Sequence, residues 1–221
     1  MAQVFIERFA FFVPSEEQPA PNVSFVPMLT RRRLSPLCKL VVSVSKPVSE
    51  NLPHCKVTFA SQFGEISQQL KISQALLETG AVSPAHFSLS VFNASIANAS
   101  ILEKNTAGYS AVFSGSEAFR SGLADCVAAL CNECSAGKSA NEECVADSRM
   151  FIFADELIPE TYAPVAGVKY PNANCALALR LTTDKSKALV ELDCSPLAGN
   201  FETAAAEAIA FIEQRIKPLL P

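Results

Sequence analysis

The sequence predicts an α/β fold, a mixed β-sheet covered by helices on both faces. Three observations carry that prediction. Stretches with helical periodicity alternate along the chain with short β-prone runs. One of those runs, Met150 to Ala154 (MFIFA), is apolar without a break, as a strand buried on both faces requires. The 221 residues are 49% hydrophobic with a mean hydropathy of +0.23, enough to bury a large core as one domain, residues 1–221, without disulfides or metals.

The elements follow in order. After a Pro-rich opening (Pro14, Pro19, Pro21, Pro27), Leu34, Leu37, Val41 and Val44 recur at helical spacing, and Ser35-Pro36 suits a first turn. Pro47 is expected to end that helix. Cys55 to Ser61 (CKVTFAS) reads as a strand, broken by Gly64. Glu65 to Glu78 places Ile66, Leu70 and Leu77 on one helical face, closed by Gly80. Ser83-Pro84 restarts the chain, and Phe87 to Ser100 is rich in small residues that permit close helix packing. Tyr109 to Phe113 is a short β-prone run ending at Ser114-Gly115-Ser116. From there to Cys134, Phe119, Leu123, Cys126, Val127 and Leu130 hold a 3.6-residue period, which sets a strand-to-helix turn at Ser114 to Ser116. A polar loop is expected over Ser135 to Ser148. Cys175 to Leu181 and Lys187 to Leu192, separated by Thr182-Thr183-Asp184, read as a hairpin. Asn200 is the expected N-cap of a closing helix with Ala205, Ala208, Ile209, Ile212 and Ile216 on one side, ended by Pro218.

Composition narrows the function classes. With 18 basic and 22 acidic residues the formal net charge is -4, and the one run of like sign is Arg31-Arg32-Arg33, so nucleic acid is not an expected partner. Charged residues interrupt the N-terminal apolar patch too early for a signal-peptide core, and no stretch approaches a membrane span. A cytoplasmic location is the expectation. There the eight cysteines read as small buried hydrophobes, and the sequons at Asn22, Asn93 and Asn98 carry no meaning. Cys131 and Cys134 form a CxxC with Cys126 and Cys144 nearby, yet no second CxxC or neighbouring histidine completes a zinc set, so no metal is expected. The high apolar fraction leaves room for an interaction face.

The turn at Ser114 to Ser116 is the most informative point, because backbone N–H groups at the start of a helix stabilise developing negative charge. Ser110, Ser114 and Ser116 are positional candidates for a nucleophile, but none lies in a G-x-S-x-G elbow. Ser114-Gly115-Ser116-Glu117 also fits S-x-x-E, a capping box in which Ser114 and Glu117 satisfy each other's backbone donors. The two histidines offer little for acid-base work: His54 stands at a strand entrance facing solvent and His86 has no motif around it. Asp155 and Glu156, adjacent in sequence, read as a strand-end turn.

Three stretches together resemble the β-ketoacyl synthase-like N-terminal family: Arg32 to Leu40 (RRLSPLCKL), Phe59 to Glu65 (FASQFGE) and Ser83 to Ala94 (SPAHFSLSVFNA), in matching order and spacing. The likeness continues through Ser100-Ile101 and Gly108 to Leu123, and more faintly through the Phe151 and Cys175 strands. Members of that family are similar to the first half of the thiolase-type condensing enzymes, so the resemblance implies a single thiolase-like half-domain. In complete ketosynthases a Cys at the strand-to-helix turn attacks the acyl thioester, and two histidines from the second half support decarboxylation and the oxyanion. In the matching turn here Glu117 occupies the nucleophile's position, and a chain of this length has room for one half only.

The resemblance therefore implies a non-catalytic, chain-length-factor-like subunit without a cofactor. Its partners would be a full-length β-ketoacyl synthase, as a heterodimer, and acyl carrier protein, in aryl polyene or fatty-acid/polyketide-like biosynthesis. By the same resemblance Ala111, Val112, Phe113 and Ser114 lie at the dimer interface or tunnel, and Arg31, Arg32 and Arg33 meet the carrier protein. Two other classes stay open: a serine-dependent acyltransferase or thioesterase using Ser110, Ser114 or Ser116, and a scaffold that binds carrier protein without touching product length.

Overall fold

The computed structural model describes residues 3–139, 147–162 and 174–220. Strand β1 (Phe5–Phe12) opens it, followed by a four-residue helix α1 (Met28–Arg31) and by α2 (Pro36–Ser49). Strand β2 (Val57–Ala60) leads into α3 (Ile66–Thr79), the short α4 (Pro84–Ser88) and α5 (Ala94–Glu103). Strand β3 (Tyr109–Val112) passes through a 3-10 turn (Gly115–Glu117) into the long helix α6 (Ala118–Ser139). Strands β4 (Ser148–Asp155), β5 (Cys175–Thr182) and the two-residue β6 (Val190–Glu191) come next. Helix α7 (Ala204–Phe211) closes the chain and continues as a π-helical turn over Ile212–Ile216.

All six strands form one sheet, in the order β3-β2-β4-β5-β1-β6. The pairs β3/β2 and β2/β4 are parallel and the remaining pairs antiparallel, so the sheet is mixed. The apolar run of β4 explains itself by the period of two. Phe151 and Phe153 face α6 and α7, while Met150 and Ile152 face α2 and α5. Every residue of β4 and β5 is buried, as two helix-covered faces demand. Helix α2 is capped by Ser35, whose hydroxyl accepts from the Cys38 N–H at 2.9 Å, and buries Leu37, Val41, Val44 and Val48.

Several expectations need correction. Helix α2 does not stop at Pro47; the proline sits exposed in its last turn while Val48 behind it is fully buried, and that burial carries the helix to Ser49. Helix α6 runs beyond Cys134 to Ser139, into the stretch read as loop, while Cys144 lies outside the described residues. Strands β5 and β6 are not a hairpin. Strand β1, missed in the sequence, pairs with β5 on one side and β6 on the other, and β5 already has β4 on its second edge. The closing helix starts at Thr203 rather than Asn200, with the Thr203 hydroxyl accepting from the Ala206 N–H at 3.0 Å. Pro218 lies inside a terminal 3-10 turn (Lys217–Leu219) rather than ending the helix.

Candidate functional site

Strand β3 is the outer strand of the sheet, hydrogen-bonded to β2 alone among the described strands, with Tyr109 to Val112 in register with Val57 to Ala60. Its other edge presents free backbone N–H and C=O groups, a template for a further strand. Tyr109 and Ala111 are exposed, Val112 is half-buried, and Phe113 just beyond the strand is 66% exposed. Two contacts brace the strand from inside the fold: the Asn93 amide donates to the Tyr109 hydroxyl at 3.0 Å, and the Phe92 and Phe113 rings meet edge-on at 5.3 Å.

At the turn, Ser114 does not form the expected capping box. Gly115 takes a left-handed φ of 58°, and the Glu117 N–H donates to the Ser114 carbonyl at 3.1 Å in a 3-10 turn, so the Ser114 hydroxyl makes no cap bond. Glu117 instead pairs with Arg120 at 2.9 Å, one turn into α6, and Arg120 also reaches Glu207 on α7 at 3.2 Å. Half of the Glu117 side chain is exposed. A carboxylate tied to a guanidinium is a poor nucleophile and has no thiol's capacity to carry an acyl group.

Ser110 lies 3.3 Å from the Thr58 hydroxyl, and the buried Arg149 reaches it at 3.4 Å while also donating to Thr58 (3.1 Å) and Glu133 (3.0 Å). That network knits β3 to β2, β4 and α6. Both histidines are exposed, and neither makes a side-chain hydrogen bond among the described residues. Cys38 and Cys126 are buried, and burial pushes their thiols up to about 12; Cys175 is pushed higher still. Among the described residues no three His, Cys, Asp or Glu side chains come together as a metal would need.

Arg31 ends α1, Arg32 and Arg33 follow it, and the three guanidiniums make no ion pair among the described residues, in a segment that exposes Phe25, Met28 and Leu29. A cleft of about 550 Å³ opens between α6, α7 and the 193–201 loop, walled by Phe119, Leu123, Phe201 and Phe211 with Arg120 at its rim.

Sequence reasoning missed one cluster. Asp155 and Glu156, read as a strand-end turn, stand at the end of β4 and are both buried, as is Glu65. Asp155 accepts from the Ser61 hydroxyl (2.6 Å) and the Gln62 N–H (2.9 Å), and Glu156 from the Ser67 N–H (3.0 Å). Burial pushes Asp155 and Glu65 up to about 7, and raises Glu156 as well. The one local signal was the serine-rich, glycine-broken SQFGEIS segment that supplies most of their donors.

Comparison with known proteins places the chain. The family described as beta-ketoacyl synthase, N-terminal domain, matches residues 9–217. The chain belongs to this β-ketoacyl synthase family. Its fold is the thiolase-like half-domain of that family. A ketosynthase in complex with its chain length factor (ApeO and ApeC), from Xenorhabdus doucetiae, superposes with a TM-score of 0.67 and 23% identity, over 82% of this chain and 79% of that one. A β-ketoacyl synthase from Burkholderia phymatum STM815 gives 0.55 at 11% identity, over 84% of this chain and 60% of that chain. The ishigamide ketosynthase/chain length factor gives 0.57 at 12%, over 84% and 63%. The latter two are thus longer chains of which this one spans less than two thirds. No curated protein sequence matches. Among the described residues no helix of this ketosynthase-like half-domain is long and apolar enough to cross a membrane.

Proposed function

We propose that this chain acts as a single non-catalytic domain, a chain-length-factor-like subunit that pairs with an active, full-length β-ketoacyl-ACP synthase and shapes its acyl product. The setting is aryl polyene or fatty-acid/polyketide-like biosynthesis in the cytoplasm. One observation carries the reading. By the family resemblance the nucleophile's position falls at Glu117, which is half-exposed and tied to Arg120, while the strand leading to it is the outer strand of the sheet with Phe113 standing in solvent. A half-domain with that turn cannot acylate itself, but it can extend a partner's sheet through β3. Arg32 and Arg33, exposed, and the half-buried Arg31, all without an ion pair among the described residues, suit an acidic carrier protein arriving at the complex.

The test is co-expression with a β-ketoacyl synthase. The two proteins are expected to co-elute from a sizing column, product length is expected to depend on this chain, and Phe113→Arg is expected to separate them while leaving the free subunit folded. Separate elution together with chain extension indifferent to this protein sinks the proposal. So does a covalent adduct on the lone chain after incubation with acyl thioesters, which would assign the serine-dependent activity instead. Carrier-protein binding with no effect on product length would mark a scaffold.

A further inference from the structure

Helices α3 and α4 form a limb, residues 66–88, that contains no buried residue. Leu76, Leu77 and Phe87 on it are 51%, 87% and 58% exposed, so apolar burial does not hold the limb to the body. What holds its root is polar. Asp155, at the end of central strand β4, receives Ser61 and Gln62 from the chain entering the limb, and Glu156 receives the N–H of Ser67 in the first turn of α3. Glu65, the residue before α3, reaches the opposite way and takes the hydroxyls of Ser35 at the start of α2 (2.8 Å) and Ser95 on α5. Beyond the root, Gln69 donates to the Ser90 carbonyl at 3.3 Å.

The three carboxylates are 1–3% exposed; Glu65 Oε2 and Asp155 Oδ2 are buried with no hydrogen-bond partner among the described residues, while the Phe63 N–H acts on the Asp155 carboxyl as a further donor. A bare, ionised carboxylate oxygen in that position carries a desolvation cost that a bound proton removes. The surrounding charges do not offset it. Glu65 faces Glu156, the Lys71 ammonium from the exposed side of α3, and the Cys38 thiol of α2. Asp155 faces Glu156 and the Cys175 thiol of β5, with no cation acting on it among the described residues. Glu156 faces Lys71 and both other carboxylates.

We propose that Glu65, Asp155 and Glu156 form a proton-loaded latch: with protons in place they bind the α3–α4 limb to the body, and proton loss sets like charges against one another at its root and frees the limb. The latch is independent of any ketosynthase partner, since all its groups lie within this chain. Hydrogen exchange of the full chain reads it directly. Between about pH 6 and about pH 8, after correction for intrinsic exchange, protection over residues 66–88 is expected to fall at least about tenfold while β4 and β5 hold theirs. The neutral triple variant Glu65→Gln/Asp155→Asn/Glu156→Gln is expected to keep the limb equally protected at both pH values. A flat wild-type profile overturns the latch, as does a variant with the wild-type pH dependence. Carboxyl NMR titration of the unmodified protein decides it even if the variant fails to fold: Glu65 and Asp155 both titrating below about pH 5 would leave no proton to release.

Discussion

Gly122 lies where α6 crosses the sheet, and a methyl group there would meet the Ala60 Cβ at 2.5 Å and the Phe151 ring at 3.0 Å. Two effects oppose each other in Gly122→Ala. Helix propensity favours alanine by about 1 kcal/mol, while forcing a methyl against a central strand costs about 1–3 kcal/mol. Ala60 is part of β2 and cannot rotate away, so the clash wins. Gly122→Ala is expected to lower stability by about 1–2 kcal/mol, read as a reduced urea midpoint with an unchanged m-value; a midpoint at or above the parent's would refute the close approach. Glu117 shows the other side of the residue scale. Its match to the nucleophile's position follows from the resemblance alone, and its local motif suggested a cap, but the left-handed Gly115 redirects the backbone and leaves the carboxylate to pair with Arg120 instead.

Strand β1 is the element the sequence hid. Glu7 and Arg8 interrupt its apolar run, and the ladder with β5 shifts register at that point, between Ile6 and Arg8. The charge is tolerated because Arg180 of β5 lies opposite: its Nε meets Glu7 at 3.0 Å, its Nη1 donates to the Pro53 carbonyl at 3.0 Å, and its side chain is 4% exposed. Breaking a buried pair from one side is more costly than removing it whole. Glu7→Ala is therefore expected to destabilise by about 3–5 kcal/mol, and Glu7→Leu/Arg180→Met to recover most of that loss in a double-mutant cycle. Equal losses for the single and double changes would show that the pair has no such coupling. The same contrast explains what was legible. Helices α2 and α6, strands β2 and β4 and the turn between β3 and α6 declare themselves by local periodicity and punctuation. Strand β1 and the false β5–β6 hairpin depend on partners more than a hundred residues away, and the buried carboxylates on donors 30 to 94 residues away, and no local pattern encodes those.

At the scale of the whole molecule, the buried carboxylates set the sign of its pH dependence. In Glu65 and Asp155 the folded protein holds a proton up to about pH 7, and Glu156 is raised in the same direction. The unfolded chain releases those protons near pH 4. Between these limits the native state binds more protons than the unfolded state, so stability falls as pH rises through the window and levels off above it. Asp147, Asp184 and Asp193 are lowered by surface hydrogen bonds and favour the opposite slope, but they lie at the solvent-screened surface and act mainly below pH 4. Lys187, raised by Asp147, matters only near its own alkaline range. The buried groups win. Urea unfolding at constant ionic strength is expected to give a higher midpoint at about pH 5 than at about pH 8, with a difference on the order of 3 kcal/mol, and Asp155→Asn is expected to flatten that slope. A midpoint that climbs from acid to alkaline pH would mean that the carboxylates at the root of α3 are ionised in the folded protein, and that burial there is compensated by some contact outside the described side chains.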